Sequence, residues 1–132
     1  MGMYTELIFG AKLKIDTPDD VINTLKHMLG KDDIPIGFNP IIDFGRNPLI
    51  GSSYYFGIST PAYRMIKDDI DNQWEISTRS NIKNYDHEIE SFLEWIKPHI
   101  DQGSGINDMY AIVIYEEATI PTIYYLNEDR EY

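Results

Sequence analysis

The stretch that most limits what this chain can fold into is "YTELIFGAKLKI", residues 4–15. Leu7, Phe9, Ala11, Leu13 and Ile15 fall on one side of an extended chain, and Glu6, Lys12 and Lys14 on the other. Side chains of a strand alternate between faces, so this pattern reads as a half-buried strand. Something apolar must cover one of its faces.

Two stretches supply covers. In "DTPDDVINTLKHMLG", Val21, Leu25, Met28 and Leu29 repeat at helical spacing, with Ile22 beside them. Thr17 suits the N-cap and Pro18 the first helical position. Asp19 and Asp20 complement the helix dipole, His27 suits the last turn, and Gly30 fits the left-handed position past the end. In "STRSNIKNYDHEIESFLEWIKPHI", a helix from about Asp86 to His99 would bury Tyr85, Ile89, Phe92, Leu93, Ile96 and Ile100. Pro98 should bend or end its last turn. Ser80, Asn81 and Asn84 read as caps and turn residues leading into it.

The rest reads mostly as strands. "GSSYYFGIST" alternates, and "AYRMIKDDIDNQWEISTRS" reads as a hairpin with its turn within Asp68–Gln73. "MYAIVIYEE" is a nearly continuous apolar strand, and "TIPTIYYLN" a final one. Residues 31–50 form a long loop with a short strand around Ile41–Phe44 or a functional flap. "DQGSGIND" is a glycine-rich connection, and residues 127–132 an acidic tail. The predicted order is β-α-β-β-β-α-β-β. That is one α+β domain over residues 1–132, a mainly antiparallel sheet of about five to six strands with both helices on one face.

The chain has no cysteine, which removes disulfides, thiolate chemistry and cysteine-based zinc sites. No apolar run approaches the ~20 residues of a membrane helix, and "MGMYTELIFGAKLK" does not read as a signal peptide. The net charge of −11 repels phosphate backbones and could attract a basic partner. Direct nucleic-acid binding and membrane binding are therefore not expected.

Catalytic patterns are missing. "GSSYY" lacks the second glycine of a nucleophile elbow, and "DQGSG" is not followed by the lysine of a phosphate-binding loop. "DDIDNQ" lacks the glycine and terminal glutamate of a calcium loop. His87, Glu90 and Glu94 share one side of the second helix, but as a solvated face rather than a metal site. No metal, cofactor or catalytic residue is expected.

Binding candidates remain. "SSYYFG" and "TIYYLN" put adjacent tyrosines on opposite sheet faces, which makes Tyr55 and one of Tyr124 and Tyr125 exposed; Tyr125 is carried forward. Arg79, Asn81 and Lys83 form a basic patch on an acidic chain, and Arg46 lies in the long loop. Arg79 and Lys83 could contact an anion at the helix start. The alternative is a small-molecule-binding protein or enzyme with its site between the sheet and the 31–50 loop, and Tyr54 or Tyr55, Arg46 and Arg79 as contacts.

"MYTELIFGAKLK", "DTPDDVINTLKHMLG", "GSSYYFG", "ISTRSNIKNYDHEIESFLEWIKPHIDQGSG" and "YAIVIYEE" together carry a resemblance. The chain resembles a group of small uncharacterised proteins of tailed phages and prophages of Gram-positive bacteria, over most of its length and least over 31–48. The resemblance implies an accessory protein in an infected bacterial cytoplasm and carries no catalytic residue. The expected role is non-enzymatic: binding a host or phage protein, such as a defence system or nucleic-acid enzyme, with mimicry of a phosphate backbone as one version. Homodimerisation through an edge strand or the tyrosine face stays open.

Overall fold

In β1, Thr5–Lys12, the alternation of the sequence becomes geometry. Leu7 and Phe9 are buried and Gly10 is exposed. The computed structural model describes residues 4–51, 62–101 and 108–127. After β1 come α1 (Asp19–Met28), β2 (Ala62–Asp68), β3 (Gln73–Ile82), α2 (Glu88–Ile96), a 3-10 turn (Lys97–His99), β4 (Met109–Tyr115) and β5 (Thr122–Tyr125). The five strands form one sheet in the order β2-β3-β1-β4-β5, antiparallel at every pairing. This is the expected α+β architecture. The strand expected over "GSSYYFGIST" falls almost wholly on residues outside the described ones, as do residues 102–107 of the glycine-rich loop and 128–132 of the tail.

Both helices lie on one face. Its core joins Leu7, Phe9, Ile76 and Val113 of the sheet to Leu25 of α1 and Phe92 of α2. Phe92 packs edge-on against Phe9, with ring centroids 5.1 Å apart. Lys26 of α1 lies 4.7 Å over the ring of Trp74 in β3. Gly30, at φ +69°, follows α1, and its N–H donates to His27 O, as read from the sequence.

Several local readings need correction. Thr17 does not cap α1: its hydroxyl donates to Lys14 O, and Pro18 occupies the N-cap position. Tyr85 precedes α2 and is exposed, its ring under the Arg46 guanidinium at 5.3 Å. Ile15 lies beyond β1 and is exposed. Ser80 and Asn81 are not lead-in caps. They continue β3, with the Ser80 hydroxyl donating to Pro48 O and the Asn81 N–H to Gly51 O. Asn84 does cap, its side-chain oxygen accepting from the Ile89 N–H at 2.9 Å.

No strand forms at Ile41–Phe44. The long loop is instead pinned along its second half. Phe44 packs on Phe92 and Trp95, the Asn47 amide donates to Met28 O, and Leu49 is fully buried. Glu88 fastens the loop to α2. Its buried carboxylate accepts from the Asp86 and Arg46 N–H groups and pairs with the Arg46 guanidinium at 3.4 Å.

Candidate functional site

Among the described residues, the other face of the sheet is left bare over much of its area. By register this face carries Glu6, Ile8, Gly10 and Lys12 of β1, and Glu75, Ser77, Arg79 and Asn81 of β3. Arg64 and Ile66 of β2 lie beside Ser77 and Glu75. Ile8 lies opposite Ile112, and Ile112 opposite Ile123, so an isoleucine row crosses three strands. Ile123 is exposed, while Ile8 and Ile112 are half-buried. The face closes at one end, where Glu6 and Asn81 are buried.

Its charges balance. Lys12, Arg64 and Arg79 stand with Glu6, Asp68 and Glu75, three of each sign, in a chain of net charge −11. Arg79 pairs with Glu6, and Lys12 with Asp71 of the β2–β3 turn. Further acids flank the strands at both ends, Asp69 and Asp71 at one and Asp86, Glu116 and Glu117 at the other.

Over the β2, β3 and β1 part of the bare face is a hollow of about 360 Å³ beside Gly10, bordered by Lys12, Arg64, Ile66 and Ser77. Glycine inside a strand costs roughly 0.5–1 kcal/mol against alanine. It usually marks a bulge, a tight bend, or a place where another backbone or a ligand comes close. The pairing of β1 with β3 runs unbroken from Thr5 to Lys12, so no bulge interrupts that side, while the pairing with β4 stops at Phe9, beside a register shift between Met109 and Ala111. Gly10 is also absent from the positive-φ glycines. A Cβ added there meets nothing within 4 Å. Neither the backbone dihedrals, the β3 register nor a contact with the described neighbours requires glycine at this position.

The predicted binding residues do not converge. Arg79 is half exposed on the bare face, and Asn81 shares that face but is buried. Tyr125 pairs with Met109 on the edge strand β5. Lys83 lies just past β3, its ammonium 5.9 Å from the Tyr4 ring. Arg46 is committed to Glu88 and Tyr85 in the helical layer, across the sheet from Arg79, so the two do not line one site. Tyr54 and Tyr55 lie outside the described residues. A hollow of about 530 Å³ does lie under the long loop, but against His27 and Met28 of α1 rather than the sheet; neither Arg46 nor Arg79 is among the described residues lining it.

Gly10 and the isoleucine row were the features missed from sequence. The signal was present in "LIFGAKL", a glycine inside an alternating run with no turn residue beside it. Among the described residues no group of three or more His, Asp or Glu could hold a metal ion. Nor is any described helix long and apolar enough to cross a membrane. Compared with known proteins, the chain matches no family model, no curated protein and no solved structure.

Proposed function

We propose that this chain is a non-enzymatic interaction protein that binds a basic protein of a host bacterium or phage with the bare face of its sheet. The observation that carries the reading is Gly10. A central strand accepts the weakness of a glycine that its β3 register and its described neighbours do not use, which supports close approach of a partner from outside. The isoleucine row gives the approaching surface an apolar seat.

Charge selects the class of partner. A second copy, itself at −11, is repelled at long range, and so is nucleic acid. A basic protein is drawn toward the molecule and meets a balanced centre with acidic turns at both ends of the strands. That division of acids across two ends does not favour phosphate-backbone mimicry, which needs one continuous acidic face. The phage and prophage resemblance fits an accessory protein working in an infected cytoplasm.

The test is affinity capture from infected cells with three baits: wild type, Ile123→Glu on the bare face, and Glu94→Gln on the exposed side of α2. The expected result is a basic protein held by wild type and Glu94→Gln, lost with Ile123→Glu and released by added salt. Equal recovery on all three baits, or an acidic partner, would count against the reading.

A further inference from the structure

On the opposite side of the sheet a second site stands apart from the proposed interaction. Between the N-terminus of α2 and the β4–β5 hairpin lies a cleft of about 410 Å³. Tyr85, Tyr115 and Tyr124 line it, with Glu90 of α2 and Lys83. Tyr124 lies opposite Ala111, on the helix-covered face, and Tyr115 opposite Thr5. The cleft therefore does not open on the face that carries Gly10.

The chemistry of its walls is directional. The faces of phenol rings are negative and attract cations, and three tyrosines line this one cleft. Glu90 adds a full charge. Both of its oxygens accept from the Asn84 amide, at 2.9 and 3.0 Å, which fixes its carboxylate in place. Burial pushes the Tyr124 phenol up, and Glu90 pushes it further. Burial also raises Tyr115, aided by Glu117 and Glu116. Both rings thus stay neutral at physiological pH within a negative potential.

Lys83 and His87 also line the cleft, and the groups there that could favour an anion are engaged in part. The ammonium of Lys83 stands over Tyr4, which does not line the cleft. The Ile89 N–H of the first turn of α2 donates to Asn84, and Glu88 and Glu90 already place acids at that helix end. Arg46 covers one face of Tyr85, leaving Tyr115 and Tyr124 as the main ring contacts.

We propose that this cleft binds a small organic ammonium compound, its cationic head held against Tyr115 and Tyr124 and balanced by the fixed carboxylate of Glu90. Choline chloride is a suitable probe, titrated by calorimetry and by the tyrosine ring signals in NMR. Its neutral isostere, with carbon in place of the quaternary nitrogen, and sodium acetate are the controls.

The expected result is saturable binding of choline, with the isostere and acetate much weaker. Tyr124→Leu and Glu90→Gln should each weaken choline by about five- to thirty-fold. Tyr124→Phe should keep most of the affinity, because the ring stays. Glu90→Gln keeps an oxygen to accept from Asn84, so its fold should persist, as an unchanged circular dichroism spectrum would verify. Equal binding of the isostere, preference for acetate, absence of saturation, or indifference to both Tyr124→Leu and Glu90→Gln would overturn the proposal.

Discussion

The two faces of the sheet use glycine and isoleucine in opposite ways. Toward the helices and the long loop, special residues answer to an internal neighbour. Gly45 has φ +80°, and a Cβ there would lie 3.4 Å from Glu88 Cγ. A Cβ on Gly51 would fall 2.1 Å from Ile82 Cγ2, where the loop backbone closes on β3. On the bare face Gly10 answers to nothing inside the described molecule. The difference separates positions held by internal neighbours from one that the proposed interaction would explain.

Substitutions sharpen this contrast, and the largest effect should come from the covered face. Phe92 is fully buried among Phe9, Phe44 and Trp95, so Phe92→Ala should cost about 3–5 kcal/mol in denaturant unfolding. A loss below about 1 kcal/mol would mean that α2 is not the main cover of the sheet.

Glu88 comes next. Burial alone would raise its carboxyl, yet the N–H groups of Asp86, Glu88 and Arg46 and the Arg46 guanidinium together hold it below the ordinary carboxylate range. A folded-state value below the unfolded one adds stability above the unfolded value, and that stability is lost as pH falls through the folded value. Glu88→Ala should therefore cost about 3 kcal/mol at neutral pH. Its stability should also fall less on acidification than that of wild type. Parallel acid limbs for the two proteins would remove Glu88 from the account.

Gly51→Ala should follow, at roughly 1–3 kcal/mol, since Ile82 or the loop must shift to admit the methyl group. Urea denaturation of Gly51→Ala beside Gly10→Ala gives the comparison its simplest form. The first should lose stability and the second should not.

How much of this was legible in the sequence follows from the range of the interactions. The alternation of β1, the apolar stripes of α1 and α2 and the Asp68–Gln73 turn are set by residues close in sequence, and they could be read directly. Gly30 past α1 and the early end of α2 at Pro98 belong with them. The extension of β3 through Ser80 and Asn81 was hidden because its partners, Pro48 and Gly51, lie about thirty residues away. Ser80 and Asn81 are ordinary capping residues to a local reading. Tyr85 was misread for a similar reason, since its partner Arg46 comes from the long loop. At the sites, the sequence offered cations and tyrosines but not their sides. Arg46 and Arg79 looked like one set until the sheet came between them. Gly10 was visible as a letter, and only the register showed that no bulge on the β3 side required it.

The most direct measurement is on Gly10→Val, read for stability and for partner capture in the same preparation. Valine favours strands, and among the described residues the space above Gly10 is open, so the variant should unfold at equal or higher denaturant concentration, by up to about 1 kcal/mol. Its capture of the basic partner should fall sharply, because the side chain fills the hollow a partner would enter. A destabilised Gly10→Val, or one that captures the partner as well as wild type, would contradict the claim that this face is kept open for binding.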